Sequence, residues 1–225
     1  MASARHQLLF RRSNALRKHL LPKRASLTGN YTKRQTDGIA GYFLLIHAEL
    51  ESYLEDRSLE VLDASYERWK HCRSLSRPLF GIMTYYSGER KGPPASFDPN
   101  QYKDRNLDLL IGSAIAQHRG RIKRNNGVKE GDLCEMLFPL GFSYSDLSTT
   151  LVASLDSFGT RRGNFAHQTL GRTPVTIDPF VEATTVDEII RELLLVDELF
   201  SKLLADCRPP KSTTTRFGGA TTQQS

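Results

Sequence analysis

Arg162 and His167 stand with four residues between them in the stretch Leu155-Asp156-Ser157-Phe158-Gly159-Thr160-Arg161-Arg162-Gly163-Asn164-Phe165-Ala166-His167. The two side chains have complementary abilities. An imidazole with an unperturbed pKa of about 6.5 exchanges protons at neutral pH with a hydroxyl or a leaving oxygen, while a permanently charged guanidinium holds a phosphate. Together they suit cleavage of an RNA backbone without a metal. Arg161 offers the same pairing with five residues between. The bare spacing is common, and its structural alternative is a histidine ending a helix and an arginine in a surface ion pair, with Asp156 or Glu51.

The other reactive residues form no such constellation. His47 lies beside an apolar stripe and reads as a core-edge histidine, His118 belongs to no motif, and neither do His71 and Cys72. Glu49 and Glu51 share a helix without a periodic acidic partner, which favours a salt-bridged face over metal ligation. Ser145, Ser157 and Cys134 lack an adjacent base or a nucleophile elbow. Cys72, Cys134 and Cys207 are odd in number and widely spaced, so neither a disulfide framework nor a zinc site is expected. No phosphate-cradling glycine loop is present, Gly218-Gly219 having no helix or lysine after it. No metal and no cofactor are expected. Arg119, Arg121, Lys123, Arg124 and Lys129 form an acid-free basic stretch, read either as phosphate contacts along an RNA or as a helix end favoured by the macrodipole.

Helical periodicity supplies the elements that must position these residues. Ile39, Phe43, Ile46, Leu50, Tyr53 and Leu54 step by three and four, and Leu59, Leu62, Tyr66 and Trp69 continue the step towards Leu75, before a break at Pro78. A short helix over 79–90 and a long one over 100–124 are expected, followed by a short one around Leu133 to Phe138. Ser145 is expected to cap a helix carrying Leu147, Leu151, Leu155 and Phe158, weakened beyond Gly159 and Gly163. Thr185 with Glu188 gives a capping box for a last helix to Asp206. No segment alternates with period two, so an all-α bundle is expected.

Charge divides the chain unevenly. Of 31 basic and 25 acidic residues, nine basic ones (Arg5, Arg11, Arg12, Arg17, Lys18, Lys23, Arg24, Lys33, Arg34) lie in residues 1–36 and three in 208–225, both acid-free, leaving the middle 19 basic and 25 acidic. The pI of 9.3 therefore describes the ends. Three parts are expected: a basic N-terminal arm (1–35), a helical domain (36–207) and a disordered polar tail (208–225). The arm is read as solvated, as a nucleic-acid contact, or as a targeting or membrane-surface helix built on Leu9, Leu16 and Leu20. No apolar run is long enough to span a membrane, no signal peptide is evident, and the cysteine usage suits a reducing, cytoplasmic setting.

The Arg and His pair in helical context resembles the catalytic signature of the HEPN ribonuclease superfamily. Met136-Leu137-Phe138-Pro139-Leu140-Gly141-Phe142, Leu155-Asp156-Ser157-Phe158, Arg162-Gly163 and Ala166-His167 are together similar to the branch called RiboL-PSP-HEPN, and Leu44 to Leu54 is similar to that branch's first core helix. The resemblance covers residues 36 to about 205. Gly163 departs from the commonest form, in which a polar residue directly follows the arginine; Asn164 comes one later. The resemblance implies a HEPN-like bundle and a homodimer with a composite site. It further implies metal-independent cleavage leaving a 2′,3′-cyclic phosphate, with Arg162, His167 and Asn164 catalytic and Arg161, Arg119, Arg121, Lys123 and Arg124 on the RNA. By association it also points to stress response or phage defence with an antitoxin or defence-system partner. The alternative is a catalytically inactive HEPN protein that dimerises or binds RNA.

Overall fold

The computed structural model describes residues 2–26, 28–86, 107–167 and 178–209, with the backbone alone over 163–167. Seven α-helices are present among them: α1 (Ala4–Leu20), α2 (Lys33–Cys72), α3 (Arg77–Tyr86), α4 (Leu107–Lys123), α5 (Glu130–Leu137), α6 (Thr149–His167) and α7 (Pro179–Asp206), with single 3-10 turns at Phe138–Leu140 and Tyr144–Asp146 and no strand. The expected all-α bundle is what forms. The expected polar tail from 210 on, and the ends of the helices anticipated over 79–90 and 100–124, lie outside the described residues.

The 40-residue α2 is the central mast, because its two apolar stretches merge into one unbroken helix. Thr32 and Gln35 close a capping box at its start. Arg73, left-handed at φ 50°, ends it five residues before Pro78. Tyr42, Phe43, Ile46, Leu50, Leu54, Val61 and Leu62 along it are fully or almost fully buried. Around it, Phe158 of α6 lies 5.9 Å from Phe43, and Phe200 of α7 lies 5.0 Å from Phe142.

Helix α1 does not stand outside this core as an arm. In α1, Leu9 and Leu16 join the core cluster and His6 is buried, its Nε2 donating to the Ile190 carbonyl at 2.9 Å. Three of the basic residues clamp the helix to acids far along the chain: Arg5 to Asp56 (2.7 Å) and Glu60 (3.0 Å), Arg12 to Glu49 (2.8 Å), and Arg17 to Asp187. At the start of α1, the Ser3 amide and hydroxyl both donate to the fully buried Asp197, each at 2.7 Å, and Tyr53 donates at 3.0 Å. Burial raises the Asp197 carboxyl, but these donors and the Arg57 guanidinium 3.1 Å away outweigh it and hold it below its usual range. The segment resembles an arm in sequence because the acids that pair with Arg5, Arg12 and Arg17 lie in other helices.

Two helix starts also differ from the sequence expectation. Ser148, not Ser145, caps α6, its hydroxyl accepting from the Leu151 amide at 3.2 Å. Asp178 caps α7, accepting from the Phe180 amide at 2.8 Å, with Pro179 in the first turn. Thr185 is then interior, its hydroxyl donating to the Val181 carbonyl.

Candidate active site

Gly159 and Gly163 do not stop α6, which runs on to His167. Gly159 has a packing reason to be there: a Cβ on it would come 3.1 Å from Lys129 Cγ and 3.8 Å from His47 Nε2. Its bare backbone lets α2, α5 and the motif helix converge, and His47 stacks on Phe158 with ring centroids 6.1 Å apart.

The two adjacent arginines diverge. Arg161 turns to α7, where its Nη2 pairs at 3.1 Å with Glu182, a carboxylate only 7% exposed. Burial pushes that carboxyl up and Arg161 draws it back. Arg162 instead acts on α2. Burial first, and then the Arg162 charge, push His47 down to about 4 against the pull of Asp132. Burial and Glu55 push Glu51 up while Arg162 opposes them. His47 Nδ1 and Glu51 lie 3.7 Å apart, one helical turn along α2. With its imidazole neutral at pH 7, that approach is not an ion pair. Arg162 makes no ion pair within 4 Å among the described residues, so its guanidinium remains available to an anion.

His167 and Asn164 lie on the same helix, their side chains outside the described residues. The helical backbone sets positions 162 and 167 about 140° apart around the axis and about 7.5 Å along it. The expected RNA-contacting cations of α4 are partly engaged: Arg119 pairs with Asp63 and Arg121 with Glu135. Lys123 is exposed, as is Arg124 just after the helix end. The grouping of His47 and Asp132 with Arg162 is not apparent from the sequence. Its one available signal is that His47 and Glu51 are a turn apart within the stretch Leu44 to Leu54. His118 is buried apart from this group, with its Nδ1 3.0 Å from the Tyr86 hydroxyl. Among the described residues no three His, Cys, Asp or Glu side chains group as metal ligands.

A cavity of about 540 Å³ opens between α5 and α6, lined in part by Cys134, Phe138, Tyr144, Asp156 and Ser157. Neither Arg162 nor His47 lines it, so its size does not make it the site.

The model of one helical family, RiboL-PSP-HEPN, matches residues 8–203. The chain belongs to the RiboL-PSP-HEPN family. The match begins inside α1, in keeping with a first helix that packs as part of the bundle. No curated protein and no solved structure matches the chain. Domains of the HEPN family are often ribonucleases and often bind RNA and dimerise, so membership suggests an RNA-related role for the chain. No described helix is long and apolar enough to cross a membrane.

Proposed function

We propose that the protein is a metal-independent HEPN endoribonuclease in which Arg162 holds the scissile phosphate and His167 moves the proton of the attacking 2′-hydroxyl or of the leaving oxygen. The observation that carries this reading is the divergence of the two arginines. Arg161 is tied to a buried carboxylate, whereas Arg162 makes no ion pair among the described residues and acts on a neutral histidine on the motif helix's neighbour, α2. Asn164 orients the pair. Attack of the 2′-oxygen on phosphorus breaks the bond to the 5′-oxygen, leaving a 2′,3′-cyclic phosphate and a 5′-hydroxyl.

The wide angle between positions 162 and 167 on one helix supports a homodimer in which the cation and the imidazole serving one phosphate come from two copies of the chain. Three unpaired cysteines suit work in the cytoplasm. Family association favours stress response or phage defence, with an antitoxin or defence-system protein as partner.

Digestion of RNA by the purified protein tests the assignment. Arg162→Ala and His167→Ala should each remove cleavage, by about 10²–10⁴-fold for the proton-transfer group, with far-UV signal and oligomeric mass unchanged. Cleavage should survive EDTA. Near wild-type cleavage by either variant overturns the residue roles, and RNA binding without cleavage by the wild type favours the inactive, RNA-binding alternative.

A further inference from the structure

The nine basic residues of the first 36 are not used alike. Arg5, Arg12 and Arg17 lie along the seam between α1 and the rest of the bundle and are neutralised there. Lys18, Lys23, Arg24, Lys33 and Arg34 are all exposed and form no ion pair within 4 Å among the described residues. These five are gathered at one corner. Gly38 of α2 packs so closely on the end of α1 that a Cβ there would come within 2.5 Å of the Leu20 carbonyl. Lys18 on the last turn of α1, Lys23 and Arg24 in the connection, and Lys33 and Arg34 on the first turn of α2 therefore flank a single bend.

The carboxylates around the bend are mostly occupied. Asp187 is bound by Arg17, and Asp178 accepts amide hydrogens as the cap of α7. Asp37 is the exposed acid left near the start of α2. Against the same bend lies a cleft of about 360 Å³ walled by Lys18, Leu21, Pro22 and Lys23 on one side and by Phe180 and Ala183 of α7 on the other. Phe180 is 36% exposed. Two residues on from Phe180, Glu182 holds Arg161, the neighbour of Arg162, so the cleft opens at the end of the bundle where the motif lies.

From this arrangement we infer that the α1–α2 corner is a binding surface for single-stranded RNA. Its five free cations run along successive phosphates, and the Phe180 ring in the cleft takes a base. Cations without partners beside an aromatic face are what a sequence-tolerant single-strand site requires. An anionic bilayer would be met better by a flat apolar face than by a cleft with one ring. The choice of RNA as the polyanion rests on the nuclease reading.

The probe is a fluorescein-labelled 2′-O-methyl RNA oligonucleotide, which offers no 2′-hydroxyl to attack, titrated with the full chain over a range of salt. Replacing Lys18, Lys23, Arg24, Lys33 and Arg34 together by Gln should flatten the log-log salt slope by about 0.7 for each phosphate no longer neutralised, up to about 3.5. The pairs Lys23→Gln with Arg24→Gln and Lys33→Gln with Arg34→Gln, each milder for folding, should flatten it by about 1 apiece. Phe180→Ala should weaken binding about ten-fold and leave the slope unchanged. A slope that survives all these charge removals, in a wild type that binds and cleaves RNA, overturns the corner and leaves the nuclease standing. A slope carried by the corner in a protein that does not cleave keeps the corner and removes the nuclease. A wild type that binds no RNA, or that holds phosphatidylglycerol vesicles through these residues in preference to the oligonucleotide, overturns the inference.

Discussion

Arg161 and Arg162 differ by one position and by the whole of their surroundings. Arg161→Ala would leave Glu182, 7% exposed, without its cation. A buried carboxylate stripped of its partner is costly, discounted here because Arg161 is itself one-third exposed, so a loss of about 1–3 kcal/mol in urea denaturation is expected. Arg162→Ala should stay within about 1 kcal/mol of wild type while losing cleavage, since no ion pair among the described residues depends on it. The sequence shows the pair with His167 but leaves both spacings open, because the acid that distinguishes the arginines lies about twenty residues on, in another helix. At the same scale, His47 and His118 are buried and pushed down to about 4, each by burial first. Above pH 6.5 both are neutral, folded or unfolded; between 6.5 and 4 the unfolded chain takes protons that the fold refuses. Stability is therefore full above 6.5 and falls as the pH drops to 4, by up to about 3 kcal/mol per imidazole. The raised Glu51 and Glu182 carboxyls work in the opposite sense. Comparison of His47→Gln with wild type isolates the effect: the variant should lose less stability between pH 7 and pH 4, and parallel curves would show that folding leaves the protonation of His47 unchanged.

At the scale of elements, the stripes Ile39 to Leu62 and Ile189 to Leu203 are legible because a helix burying one face must repeat its apolar residues at three and four. The starts of α6 and α7 are less so. Ser145 and Thr185 have the chemistry of caps, but Ser148 and Asp178 take those roles, and the choice depends on where the preceding turn delivers the chain. Close approaches are not legible at all. Gly38 and Gly41 look equivalent in sequence, yet a Cβ on Gly38 would meet the Leu20 carbonyl at 2.5 Å, while one on Gly41 would meet nothing within 4 Å. Gly38→Ala must push α1 from α2 and should cost about 1–3 kcal/mol, the range for overpacking. Gly41→Ala should gain up to about 1 kcal/mol from helix propensity. Thermal unfolding of the two variants reads the contrast directly. Equal behaviour would mean that α1 is not seated against the start of α2.

At the scale of the whole molecule, an acid-free segment of nine basic residues suggests an appendage, and folding turns a third of those charges onto the seam with the bundle. Net charge by segment reports where charges lie in sequence, whereas Arg5 finds Asp56 and Glu60, Arg12 finds Glu49, and Arg17 finds Asp187 across helix contacts that no local window contains. The consequence can be tested by deleting residues 1–24. A free arm would leave the folded body unchanged. Here the deletion uncovers the surface against which Leu9 and Leu16 are buried, worth about 1.5–3 kcal/mol per side chain. It also removes both Ser3 donors from Asp197, which has no exposed surface, leaving that carboxylate to Tyr53 and Arg57 alone. Losses of this kind are a large share of the roughly 5–15 kcal/mol that typically separates folded from unfolded chains. The truncated protein should aggregate or unfold without a cooperative transition, and its RNA cleavage should vanish with the fold rather than through weakened affinity. Supplying residues 1–24 as a separate peptide should restore helical signal and a cooperative melt if α1 is an integral helix of the bundle. A truncated protein that melts like wild type would return α1 to the status of an appendage.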